Sequence, residues 1–165
     1  MILTIFTLFH AAISLIGLLA GYVAVFGLLQ GRLLSRWTAT FLVMTLATSV
    51  TGFFFPRDHF MPAHAVGIAS LIGLAVAIYA LYSRKLQGAW RNVYVLSAVF
   101  SLYLNMFVGV VQAFQKIPLL KAAAPTQSEP PFAIGQGLVL VLFIAAGWLA
   151  WVKFRGVLAP VRESL

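Results

Sequence analysis

Pro131–Val152, PFAIGQGLVLVLFIAAGWLAWV, runs for 22 residues without a charged side chain. About 20 apolar residues in a helix cross the hydrocarbon core of a bilayer. Polarity does not alternate along the stretch as it would in a barrel strand. A helix, which satisfies its own backbone groups, is the conformation lipid allows. Four more uncharged runs precede it: Met1–Leu29, Trp37–Phe55, Phe60–Tyr82 and Asn92–Gln115. The pattern predicts an all-α, polytopic integral membrane bundle of five transmembrane helices, forming one domain over residues 1–165. The second run is the weakest of the five, being short and rich in Thr.

Composition agrees. Of the 165 residues, 62% are hydrophobic and 8% charged, whereas a soluble domain carries about 25% charged residues. Eleven Lys and Arg against three Asp and Glu leave a net charge of +8. The basic residues stand singly between apolar runs, which reads as membrane orientation and not as nucleic-acid binding. The chain has no Cys, which excludes disulfides, thioether haem attachment, iron–sulfur ligation and thiol catalysis.

The basic residues divide unevenly. Arg32, Arg36, Arg84, Lys85, Arg91, Lys153, Arg155 and Arg162 follow the first, third and fifth runs, whereas Arg57, Lys116 and Lys121 follow the second and fourth. The excess of positive charge on cytoplasmic loops then predicts an N-terminus outside and a cytoplasmic C-terminus. Met1–Phe9 carries no charge and the first run is too long for a cleaved signal peptide, so it is expected to remain as a span. Trp37, Trp90, Trp148 and Trp151 fall near the inner interface in this orientation, while Phe6, Phe9, Phe53, Phe54, Phe55, Phe60 and Phe132 crowd the outer half. Pro56 and Pro62 frame a tight hairpin with Arg57–Met61 at its tip. The longest connection, Lys116–Pro130, is expected to hold a short interfacial helix at Ile117–Ala124, with Ser128 capping the last span.

Helices in lipid associate through small residues and interhelical hydrogen bonds. Ser14, Gly17, Gly21 and Ala24 make one such stripe, continued upward by His10. Thr38, Thr45, Thr48, Ser49 and Gly52 make a second. Ala63, Gly67, Ser70 and Ala77 make a third, and Ser101, Asn105, Gly109 and Gln112 a fourth. Most of this is packing seam.

His10 is the ionisable residue placed well inside a span, and such residues mark functional sites by default. Asp58, His59 and His64 lie at the hairpin tip, Gln112 toward the outer end of the fourth run, Asn105 near its middle, and Glu129 and Gln136 at the outer start of the fifth. The expected site is a polar pocket near the outer, periplasmic leaflet, built from His10, His64, Asn105, Gln112, Gln136 and Glu129, that binds a small ligand or cofactor. Apolar walls with a few convergent polar groups describe such sites. A quinone, a haem b held by His10 and His64, or a metal ion would suit the residue types. For haem, His10 lies about 10 Å below the start of its span and His64 about 3 Å into its own, so tilt must bring them level. Asp58, His59 and His64 form an alternative metal clip whose spacing matches no strong zinc signature.

No Asp or Glu lies within a span, which removes a carboxylate relay for ion transport. No catalytic motif is present, and the expectation is that the chain is not an enzyme. The alternative to ligand binding is a non-catalytic accessory or assembly subunit of a larger membrane complex, or a homo-oligomer. In either case the chain's surroundings are the lipid bilayer, with no nucleic-acid partner.

The segment Ser101-Leu-Tyr-Leu-Asn-Met-Phe-Val-Gly-Val-Val-Gln112, followed by Ala124-Pro-Thr-Gln-Ser-Glu-Pro-Pro-Phe132, resembles small uncharacterised bacterial inner-membrane proteins. The resemblance extends from about Thr51 to Gln136. It implies a multi-pass protein of the bacterial inner (plasma) membrane and carries no activity with it.

Overall fold

The structure, a computed structural model, describes residues 1–56 and 62–154. It is a helical bundle with no strand among the described residues. In chain order the helices are α1 (Ile2–Leu29), α2 (Ser35–Gly52), α3 (Pro62–Ile78), α4 (Trp90–Lys116), the short α5 (Pro118–Ala123) and α6 (Pro130–Lys153). A π-helical turn, Tyr79–Ser83, extends α3. Each of the five long helical segments overlaps one of the uncharged runs. Among the described residues, four segments are long and apolar enough to cross a membrane: Ile2–Leu29, Pro62–Ser83, Trp90–Lys116 and Pro130–Lys153. The 18-residue α2 is not among them. Its sequence carries Arg36 and several hydroxyl residues, which lower its hydropathy below that of its neighbours.

The chain reverses between two ends of the bundle. At the first reversal Gly31 takes φ 72°. The Arg32 N–H donates to the Gly27 carbonyl at 2.8 Å, closing α1 with a left-handed glycine as helices commonly end. A Cβ on Gly31 would lie 3.2 Å from the Lys153 carbonyl oxygen, so this turn shares an end with the close of α6. Tyr79 meets Trp90 edge to face at 5.2 Å and Tyr94 meets Phe154 at 6.5 Å, which adds the α3–α4 reversal to the same end. Arg32, Arg36, Arg84, Lys85, Arg91 and Lys153 thus gather at what is called here the basic end. The opposite end holds the start of α1, the close of α2, the start of α3 and the close of α4, and His10 and His64 lie toward it.

The core lies toward the basic end. Leu28, Phe41, Leu74, Ala77, Tyr94, Val95, Leu102, Ala150 and Phe154 are at most 1% exposed. Small residues on α1 let its neighbours in. A Cβ on Gly21 would collide with Leu102 of α4 and stand 2.8 Å from Phe41 Cδ2 of α2. One at Gly17 would lie 3.3 Å from the Thr45 backbone nitrogen. The stripe expected from spacing alone is therefore the seam on which α1 and α2 pack.

Several hydroxyls of α2 are satisfied within the bundle, whereas Thr48 Oγ1 is buried without a hydrogen-bond partner among the described residues. Thr40 donates to the Arg36 carbonyl at 3.0 Å and Thr51 to the Ala47 carbonyl at 2.7 Å. The Ser49 hydroxyl donates to that of Ser70 on α3 at 3.0 Å. The hairpin tip Arg57–Met61 and the basic residues Arg155 and Arg162 lie outside the described residues.

Candidate functional site at the histidine end

His10 sits on the third turn of α1, facing the last turn of α2. Its Nδ1 lies 2.8 Å from the Thr51 hydroxyl oxygen. A hydroxyl has one proton to give. Thr51 sits 2.7 Å from the Ala47 carbonyl, the back-bond a helical Thr makes four residues upstream. With that proton committed, the Nδ1–H of His10 is the donor and Thr51 the acceptor. In the neutral form of the ring, Nε2 is then a bare lone pair. Nε2 meets no hydrogen-bond partner among the described residues. The Phe55 ring stands edge to face against the imidazole at 5.1 Å, and Phe6 packs on Phe55 at 4.9 Å. His10 is therefore held at one nitrogen, walled by the Phe55 ring, and open at the other nitrogen.

The other expected residues are placed as follows. His64, near the start of α3, stacks on Phe53 at 5.7 Å with the rings 23° apart. Asn105 Nδ2 donates to Thr45 Oγ1 at 3.0 Å, joining α4 to α2. Gln136 Nε2 donates to the Phe107 carbonyl at 3.2 Å, joining α6 to α4. Its Oε1 is buried without a partner among the described residues. Gln112 is exposed on the outer surface of α4. Glu129 turns back onto its own loop: Oε1 accepts from the Thr126 hydroxyl at 2.9 Å and amide at 3.2 Å, and Oε2 from the Ser128 amide at 3.1 Å. Glu129, not Ser128, occupies the N-cap position of α6. The two prolines that open the helix have no N–H to be capped, so the carboxylate is left to hold the turn before them.

The polar residues expected to share one hollow are thus distributed over separate seams. His10 belongs to α1–α2, Asn105 to α2–α4 and Gln136 to α4–α6. The stripe on α4 shows the physical reason. At Asn105 it is closed by Thr45, but at Gly109 a Cβ would meet nothing nearer than its own helix's Met106 sulfur at 3.9 Å. The face that spacing puts in register runs out of neighbours before it reaches Gln112.

No group of three or more His, Cys, Asp or Glu that could hold a metal occurs among the described residues. Asp58 and His59, which with His64 made the expected metal clip, lie outside them. Two recesses lie away from the histidine end. One of about 270 Å³ is lined by apolar residues of α1, α4 and α6, among them Tyr22, Phe26, Leu102, Met106 and Phe143. The other, about 390 Å³, lies at the basic end beside Arg91, Trp148, Trp151 and Val152. Neither was legible as a recess, because a cleft is made by what a helix fails to cover. No protein-family model, no curated protein and no solved structure matches the chain, so its own residues carry any reading of function.

Proposed function

We propose that the chain is a membrane protein that binds a small, mostly apolar molecule at the histidine end, with His10 as the polar anchor. The observation that carries this reading is the state of His10: Nδ1 tied to Thr51, ring walled by Phe55, Nε2 bare. A fixed tautomer with an open lone pair accepts a hydrogen bond from a ligand hydroxyl, such as that of a quinol, or ligates a metal such as haem iron. Orienting one ring nitrogen through a bond at the other is how proteins prepare an imidazole for either task. His64 on its Phe53 platform and Asn105 are the next polar groups of this end; Gln136, Gln112 and Glu129 are peripheral to His10.

The proposal includes the wider topology. α2 serves as a fifth crossing: its 18 residues span about 27 Å, close to the hydrocarbon thickness of about 30 Å, and back-bonded hydroxyls cost little in lipid. The basic end faces the cytoplasm on the positive-inside rule, which puts His10 in the outer leaflet of a bacterial inner membrane. The test is to extract the protein in mild detergent and record the mass and absorbance of what accompanies it. A stoichiometric quinone, haem or other small molecule that His10→Ala loses, with helicity unchanged, supports the proposal. Equal retention by the variant returns His10 to packing.

A second reading, an accessory subunit of a membrane complex, is favoured by α6. Only 6% of its apolar window is buried, against 44% for α1 and α4. Co-purification of a partner that is lost when bulky residues are placed on the outer face of α6 supports that role.

A further inference from the structure

The recess at the basic end is a candidate site of a different kind. It opens between the first turn of α4 and the last turns of α6. Arg91 Nε and Nη2 both donate to Asn92 Oδ1, at 3.1 and 2.9 Å. A guanidinium has five N–H donors, so this fork fixes the plane of the group and leaves donors to spare. Asn92 is neutral, so no carboxylate compensates the charge of Arg91 among the described residues. The one carboxylate side chain among the described residues, Glu129, is at the other end of the bundle. Arg84, the cation on the preceding turn, is engaged over the Trp90 ring at 5.1 Å. The opposite wall is the Trp148–Trp151 pair, edge to face at 5.3 Å. Paired indoles at a helix end are the side chains that settle at the headgroup level of a bilayer.

We propose that this cleft binds the phosphodiester headgroup of an anionic glycerophospholipid. Arg91 meets the phosphate oxygens, for which a pre-oriented guanidinium is the fitting donor. The Trp148 and Trp151 rings cover the glycerol and the first methylenes. A freely soluble phosphate would use the arginine but not the indoles, and it is the indoles, on a helix whose other faces are apolar, that select a lipid. Basic clefts between spanning helices are suited to such headgroups.

The test uses the intact protein in nanodiscs of phosphatidylcholine doped with lipid brominated on its acyl chains, reading tryptophan fluorescence. Brominated phosphatidylglycerol is expected to quench at about a fivefold lower mole fraction than brominated phosphatidylcholine, the preference one basic side chain confers at a membrane surface. Arg91→Gln is expected to remove the preference, and Lys121→Gln, at the other end, to keep it. Equal quenching of the wild type by the two lipids overturns the proposal, and this comparison needs no variant to fold. A preference unchanged in Arg91→Gln also overturns it. Relief of quenching by added inorganic phosphate assigns the cleft to a soluble anion and overturns the lipid reading.

Discussion

Toward the basic end Phe41, Tyr94, Val95 and Phe154 are at most 1% exposed, whereas at the start of α1 Ile5 and Leu8 are 61% and 66% exposed. Both ends are apolar and both are helical. What differs is how many helices surround each residue. At the basic end α1, α2, α3, α4 and α6 converge on shared side chains, and the π turn at Tyr79–Ser83 sets Tyr79 and Arg84 against Trp90. At the histidine end the helices hold one another through a few ring contacts and single polar pairs. In water the exposed leucines would be costly, but lipid is as apolar as they are, so the loose end persists without penalty. Tight packing resides at the basic end, and the bare Nε2 of His10 lies at the loose one.

The sharpest way to break this contrast is to truncate one residue at each end. Phe41→Ala removes a ring packed against α1 and is expected to cost about 3–5 kcal/mol, whereas Leu8→Ala is expected to stay within about 0.5 kcal/mol. Denaturant titration in detergent micelles, followed by helical circular dichroism, reads both. Similar costs would mean that the ends are equally packed. Next in size is Gly21→Ala. The added methyl group meets Leu102 and Phe41, and overpacking of this kind costs about 1–3 kcal/mol. The same change at Gly109, where the nearest atom is 3.9 Å away, is expected to be neutral or slightly stabilising. A loss at Gly109 equal to that at Gly21 would place a neighbour against the outer half of α4.

A smaller effect separates the polar seams from the core. Asn105→Ala removes the bond to Thr45 and is expected to cost about 0.6 kcal/mol, the average for interhelical hydrogen bonds in membranes. In a double-mutant cycle with Thr45→Val the coupling should account for most of that cost. A coupling near zero would show that Asn105 finds another partner once Thr45 is gone, and the seam would then be less specific than its geometry.

The sequence made some of this legible and hid the rest for physical reasons. Uninterrupted apolar runs located the helices, since in lipid a long uncharged segment has few other conformations. Gly17, Gly21, Thr45 and Ser49 were legible as contacts because i, i+4 spacing fixes a shared face. Spacing does not say where that face loses its cover, so Gln112 was grouped with Asn105 although it ends exposed. Nor does it say which seam a residue joins: His10 meets α2, while Gln136 meets α4. The Thr51 bond that orients His10 went unremarked because Thr51, at the last turn of α2, falls outside that helix's Thr stripe. The π turn and the left-handed Lys85 and Leu86, at φ 50° and 58°, follow from the way α3 reverses into α4. No local residue signal announces them.

The smallest expected effect concerns the loop before α6, at the histidine end. Desolvation pushes the Glu129 carboxyl up, but hydrogen bonds from its own backbone, the Thr126 hydroxyl and amide, and the Ser128 amide outweigh it and hold the carboxyl below its ordinary 4.5. A carboxyl lowered on folding stabilises the folded loop above its unfolded value, and that contribution disappears as pH falls through the lowered one. Acid should therefore loosen Thr126–Glu129 and leave the basic end unaffected. The backbone amide proton shifts of Thr126 and Ser128 are expected to titrate together with a midpoint below 4.5, and not to titrate in Glu129→Gln. Gln127, whose Nε2 donates to the Val111 carbonyl at 2.9 Å, ties this loop to α4. Its signal should follow the same midpoint if the turn opens as a unit, and stay still if Gln127 anchors the loop to α4 independently of the carboxylate.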